Sequence, residues 1–217
     1  MENNQALRVL VTGATGYVGG RLIPRLLEAG HTVTVLVRDA ARITGRNWLD
    51  EVSVIEGDLL EGSGPWSSQL QSFDAAYYLV HSIYSGAKFG ELDQTAAENF
   101  ARAAASVPLV IYLGGLMPDT PNPSPHLKSR AETGEALRRH LPVTEFRAGP
   151  IISSGSASFE IVRYLTERLP IMVAPRWISN AVQPIAVRDV LSYLVAALDK
   201  EPMGIVEIAS PTHLTFR

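Results

Sequence analysis

The chain has no cysteine, which removes disulfides, thiolate metal sites and cysteine nucleophiles and fits a reducing compartment. Its five histidines, His31, His81, His126, His140 and His213, are scattered without ligand spacing, so no metal site is expected. Lysine and arginine gather in no run and the net charge is −3. A nucleic-acid partner is not expected, because binding one needs a basic stripe that displaces counterions. No apolar run nears the roughly 20 residues that span a bilayer. The opening MENNQALR is polar and lacks a signal-peptide pattern. These absences lead to the expectation of a cytoplasmic protein, without a membrane span, that acts on a small molecule. The oligomeric state is not written in the sequence, and a homodimer is compatible with it.

What is present is a chain of 217 residues, 46% hydrophobic and 19% charged, enough for one α/β domain with a sizeable core. Short β-branched runs read as strands over Leu7–Thr12, Thr32–Val37, Val52–Ile55, Ala75–Val80, Leu109–Leu113, Val143–Phe146 and Ile205–Ile208. Several are apolar on consecutive residues, as expected when both faces of a parallel sheet are covered. Helical spacing separates them: Val18, Leu22 and Leu26; Leu92, Ala96, Phe100 and Ala103; Ser158–Leu169; and Val187, Val190, Leu191, Leu194 and Leu198. Strand then helix, repeated, predicts right-handed βαβ units wound into a doubly wound parallel sheet. MPDTPNPSP (Met117–Pro125) reads as a long loop within that one domain. PTHLTFR ends the chain soon after the last strand-like run without a further helix, which leaves open a C-terminal region beyond it.

VTGATGYVGG (Val11–Gly20) falls between the first strand and the first helix. Gly13 suits a tight turn, Gly16 would let the backbone approach a pyrophosphate, and Gly19 would let the helix pack closely on the sheet. The helix start adds N–H groups and a positive dipole end. The second strand runs TVTVLVRD. Arg38 follows its apolar run, and a guanidinium pairs well with a 2′-phosphate, which points to NADP. With Asp39 serving the ribose instead, NAD would be the cofactor.

The sequence resembles the short-chain dehydrogenase/reductase superfamily, in particular its atypical, NmrA-like NAD(P)-binding branch with proteins similar to nucleoside-diphosphate-sugar epimerases. The residues that carry the resemblance are TGATGYVG, VLVRD, EGDLLE (Glu56–Glu61), YLVHS (Tyr78–Ser82), VIYLGGL (Val110–Leu116), SPHLKSRAE (Ser124–Glu132), FRAGPIISSGSASFE (Phe146–Glu160) and QPIAVRDV (Gln183–Val190). It implies a Rossmann-type fold over 1–217, with residues from about 150 onward forming a small substrate-side region. It also implies that Gly13, Thr15, Gly16, Tyr17 and Val18 wrap the pyrophosphate and that Asp58 and Leu59 meet the adenine. Val80, His81 and Ser82 would line the adenosine ribose and the path to nicotinamide, Gly149, Pro150 and Ile151 would border the nicotinamide ring, and Gly114 is a further candidate cofactor contact. Read from the residues alone, Asp58 could equally be a helix cap and His81 a loop hydrogen-bonder.

At the active site the chain departs from the superfamily. Catalytic members carry a serine at the end of the fifth strand and Tyr-x-x-x-Lys in the next helix. Here the strand ends in Gly114 and Gly115, and the slot reads His126-Leu127-Lys128-Ser129-Arg130. Spacing of i and i+4 puts His126 and Arg130 on one helix face. Ser124 and Pro125 make a helix start there in any case. Arginine cannot transfer protons but could hold a ribose; histidine exchanges a proton near neutrality. His126 is therefore the candidate acid and Arg130 the candidate ribose clamp, with Tyr84 as another donor. Phe159, Tyr164, Met172, Trp177 and Ile178 could wall a substrate cleft, and Arg147 and Arg176 could meet an acidic substrate group. Two functions remain open: an NADPH-dependent reductase of a carbonyl or quinone-type acceptor, and a binding module that senses NADP(H) without turning it over.

Overall fold

The computed structural model describes residues 6–62, 64–81, 89–153 and 181–215. The expected helix at Ser158–Leu169 lies outside them, as do Ser82, Tyr84, Phe159, Tyr164, Met172, Arg176, Trp177 and Ile178. The described strands are β1 (Arg8–Thr12), β2 (Thr32–Val37), β3 (Ser53–Glu56), β4 (Ala75–Tyr78), β5 (Val110–Gly115), β6 (Val143–Ala148), β7 (Ile151–Ile152), β8 (Ile185–Ala186) and β9 (Gly204–Ile208). The helices are α1 (Gly19–Glu28), α2 (Phe89–Ala103), α3 (Pro125–Arg138) and α4 (Val187–Ala196).

Seven strands form one parallel sheet in the order β3-β2-β1-β4-β5-β6-β9. The consecutive apolar runs are explained by its two covered faces. Val9 and Val11 of β1 belong to the core that also holds Leu22, Leu26, Val190 and Leu194. Leu10, between them, belongs to the opposite core with Phe100, Ala97 and Leu137. The alternation recurs in β4, where Tyr77 goes to the first core and Tyr78 to the second, and in β5 with Ile111 and Tyr112. Each wholly buried side chain of this kind is worth about 1.5–3 kcal/mol against exposure.

Strand boundaries moved by one or two residues from the sequence expectation, and β4 shows why. It stops at Tyr78 rather than Val80, because a side chain takes over from the ladder. The Thr12 hydroxyl donates to the Tyr77 carbonyl at 3.0 Å and accepts from the Leu79 N–H at 3.2 Å. β1 and β4 therefore part at their carboxyl ends, at the point where strand order reverses. Crevices for ligands form at such points in open α/β sheets.

α3 starts as its sequence predicts. The Ser124 hydroxyl accepts from the Leu127 N–H at 3.3 Å, and Pro125 sits in the first turn, where a missing N–H costs nothing. Its approach to β5 is close: a Cβ on Gly115 would stand 2.8 Å from Leu127 Cδ2. The short pair β7 and β8 was not expected from sequence; its parallel pairing joins Ile151 to Ile185.

Candidate functional site

A pocket of about 380 Å³ occupies the crevice between the parted strands. Four strand-end segments and one helix wall it: Thr12 to Gly16 after β1, Leu36 to Arg38 with Arg42 after β2, Gly57 to Leu60 after β3, Leu79 to His81 after β4, and Ala96 of α2. Gly13 has φ +75°, and a Cβ on it would stand 2.5 Å from the Leu79 carbonyl oxygen. No other residue fits there, so the floor of the pocket is bare backbone. The Gly16 N–H donates to the Gly13 carbonyl at 2.9 Å and closes the turn. Gly19 departs from expectation: a Cβ there would overlap the Gly13 carbonyl, so it accommodates the loop rather than the sheet. No side chain caps α1 and no acid stands in its first turn, so the positive helix end is not offset by a carboxylate. A diphosphate suits this cradle in shape and in charge.

At the β2 end, Arg38 and Arg42 both reach the wall. The two nearby acids are occupied elsewhere. Asp39 accepts from the Ala41 N–H at 2.9 Å, capping a short 3-10 turn, and Glu56 accepts from the Ala40 N–H at 2.7 Å. At the β3 end, Asp58 lines the pocket while its carboxylate accepts from the Leu60 N–H at 3.0 Å. This turn is held from below by Asn99 of α2, whose amide donates to the Leu59 carbonyl at 2.7 Å, and by Trp66, buried against Gly57.

Beyond His81 the wall continues into a polar cluster. His81 Nδ1 lies 2.8 Å from Asp93 Oδ2, and His81 Nε2 lies 3.0 Å from His126 Nδ1. The Ser129 hydroxyl donates to the same Asp93 oxygen at 3.1 Å. Asp93 is 3% exposed, so its charge is held by these partners. The Arg130 guanidinium donates to the Leu113 carbonyl at 2.8 Å, and its own carbonyl accepts from the Tyr112 hydroxyl at 2.9 Å. Burial is the main cause that lowers the His126 pKa, with Arg130 and His81 adding and Asp93 opposing. Burial raises the pKa of Tyr112 and Tyr78, so neither phenol is suited to proton transfer.

Comparison with known proteins places this geometry. A family described as NAD(P)H-binding matches residues 13–144, more than half of the chain. The chain belongs to this NAD(P)H-binding family. Among solved structures, a putative epimerase from Burkholderia cenocepacia J2315 superposes with a TM-score of 0.79 at 17% identity, covering 99% of this chain and 78% of that one. The Bordetella bronchiseptica enzyme WbmG in complex with NAD gives 0.78 at 18% identity, covering 100% and 76%. Among curated proteins, a chloroplastic divinyl chlorophyllide a 8-vinyl-reductase from Oryza sativa subsp. indica is 50% identical over 44 residues, 20% of this chain and 11% of that protein. A dihydroflavonol 4-reductase from Gerbera hybrida is 33% identical over 87 residues, 39% of this chain and 23% of that one. The match thus spans under a quarter of these relatives' length.

Within this NAD(P)H-binding protein the expected residues divide into three groups. Gly13, Thr15, Gly16, Arg38, Asp58, Leu59, Val80 and His81 meet in the pocket wall. Tyr17, Val18, Gly114, Arg130, Gly149, Pro150 and Ile151 stand outside it. Tyr17 instead carries the Arg21 guanidinium 3.8 Å above its ring. Gly149 and Pro150 are fixed by backbone bonds to Ile208 and Ile185. Ser82 falls outside the described residues. Arg147, read as a contact for an acidic substrate or a plain salt-bridge residue, pairs with buried Glu145 at 2.7 Å. Arg42, Leu79 and Asp93 were missed. Arg42 had a signal, four residues after Arg38 on the same loop; Asp93 had only its place beside an apolar helix stripe. Among the described residues no group of three or more His, Asp or Glu side chains is arranged to hold a metal ion, and no helix is long and apolar enough to cross a membrane.

Proposed function

We propose that the chain binds NADP(H) in this pocket and uses it to reduce a small carbonyl or quinone-type acceptor. The observation that carries the reading is the pairing of Arg38 and Arg42 in the wall while Asp39 is turned to Ala41. Two guanidinium groups suit a 2′-phosphate, whereas an NAD site places an acid there to accept from the ribose. Gly13, Thr15 and Gly16 would hold the diphosphate, Asp58 and Leu59 would border the adenine, and Val80 and His81 would border the ribose. Bound nicotinamide supplies the hydride chemistry. Residues from about 150 onward would form the substrate side, as in related folds.

A specific observation favours the second reading, a module that holds NADP(H) without turnover. Gly114 and Gly115 stand where the superfamily serine is expected, and Leu127 fills the space a side chain on Gly115 would need. Calorimetry and turnover decide between the two. NADPH should bind the wild type. Arg38→Ala and Arg42→Ala should each weaken it about 10-fold or more, as expected for a charge-assisted contact worth about 1.5–3 kcal/mol, and leave NADH affinity unchanged. No heat with either cofactor overturns the binding site. NADPH binding without oxidation across a panel of aldehydes and quinones leaves the sensor.

A further inference from the structure

We infer that Asp93, His81 and His126 form one hydrogen-bonded relay, in which His126 is the acid that protonates a carbonyl acceptor and Asp93 and His81 are positioning residues that fix which ring nitrogen it presents. The inference rests on the reductase reading above and adds to it the source of the proton.

With Asp93 ionised and His81 neutral, the relay has one assignment of protons. An ionised carboxylate only accepts, so Asp93 Oδ2 takes the proton on His81 Nδ1, 2.8 Å away. That leaves a lone pair on His81 Nε2, which accepts from His126 Nδ1 at 3.0 Å. His126 is thereby held with Nδ1 as donor and Nε2 as its working nitrogen. Among the described residues Nε2 has no hydrogen-bond partner. Burial grades along the chain: the Asp93 and His81 side chains are 4% and 10% exposed, and His126 is half-buried at the start of α3. The fixed end is the carboxylate and the open end is His126. A carboxylate that sets a histidine's tautomer and orientation through a ring N–H is a general device of acid–base sites; here a second imidazole lengthens it by one link.

Bound NADPH would supply the hydride and be left as NADP⁺. The acceptor's carbonyl carbon gains that hydrogen, and its oxygen, left with the electron pair of the broken π bond, takes the proton from protonated His126 Nε2. His126 becomes neutral, still donating through Nδ1 to His81, and solvent returns the proton to Nε2. The superfamily's tyrosine is not required, and Arg130, bonded to Leu113, is left to position and not to transfer. The charged and titratable groups that face His126 are Arg130 on its own helix, His81 after β4 and Asp93 on α2. Tyr112 and Tyr78 reach Asp93 from the sheet.

The test uses the whole chain and two readouts. Carbonyl reduction with NADPH should speed up as pH falls and protonates His126. Ring ¹⁵N NMR of the cofactor-free protein should give the His126 titration and show its neutral form protonated on Nδ1. In Asp93→Asn the charge that favours protonated His126 is gone, so the NMR midpoint and the kinetic limb should both move to lower pH, with NADPH affinity within about twofold and kcat down about 10-fold or more. An unmoved NMR midpoint overturns the relay. A moved midpoint with an unmoved kinetic limb overturns His126 as the acid and leaves the reductase standing. Wild-type protein that binds NADPH but reduces neither carbonyls nor quinones overturns the reductase reading itself and the acid with it; reduction of quinones alone overturns the acid. Should Asp93→Asn fail to fold, His126→Gln at the helix start carries the test: kcat should fall roughly 100-fold, and retained kcat overturns the proposal.

Discussion

His31 shows how burial alone makes a histidine matter to stability. It is 6% exposed, and its Nδ1 accepts from the Leu7 N–H at 3.3 Å, a bond that needs the neutral ring. Burial lowers its pKa, with Asp199 opposing, and His126 is lowered too. A histidine lowered in the fold binds its proton more readily in the unfolded chain, whose ordinary value is about 6.5. Its stabilisation is therefore present above that value and lost as pH falls toward the lowered one. Asp74 is held below the usual carboxylate range by Arg8, and its contribution fades only in stronger acid. The urea midpoint should thus drop between pH 7.5 and 5.5, and His31→Gln should flatten that drop. At this scale, legibility followed constraint. Gly13 and Arg38 were readable because a turn and a strand end admit few residue types. Asp93 was not, because one acid beside an apolar helical stripe looks the same whether it is solvated or buried under two histidines.

α1 carries a proline in its interior, Pro24. Proline has no N–H to return to the carbonyl four residues back, so the Gly20 carbonyl would be orphaned. Trp48 Nε1 fills the vacancy, donating to Gly20 at 3.2 Å from a position 2% exposed. The pairing makes the two residues a unit. Trp48→Phe should cost about 1–3 kcal/mol, since the carbonyl loses the replacement donor that Trp48 supplies. In a Pro24→Ala background the helix supplies its own N–H, and the same change should cost less; denaturant midpoints of the four proteins give the coupling. Elements were legible where their ends carried chemistry, as Ser124–Pro125 did for α3. They were not where pairing alone defines them: β7 and β8 are two residues each, too short for any periodicity to register.

Across the whole molecule, the crevice, the glycine loop and the arginines meet only because four strand ends and one helix, separate in sequence, come together on one side of the sheet. Fold class was legible because strand and helix periods alternate cleanly. The relay was not, because it joins the end of β4 to α2 and α3 through a tertiary approach that no local pattern encodes. Binding at such a composite site should stabilise the fold as a unit. With NADPH at about 100 times its dissociation constant the gain is about 2.7 kcal/mol, so the urea midpoint should rise with NADPH and rise less with NADH at equal concentration. Arg38→Ala should narrow the difference between the two, and Arg38→Ala combined with Arg42→Ala should narrow it further.

The all-parallel order β3-β2-β1-β4-β5-β6-β9 bears on how the protein comes into being. No two adjacent strands can zip together as a hairpin, because each parallel neighbour is reached by a crossover of a dozen residues or more. Such long-range closure makes refolding slow for a domain of this size. On the ribosome the sheet would grow outward from β1, and β6 would wait with one flank of backbone amides and carbonyls open until Gly204–Ile208 emerged to cover it.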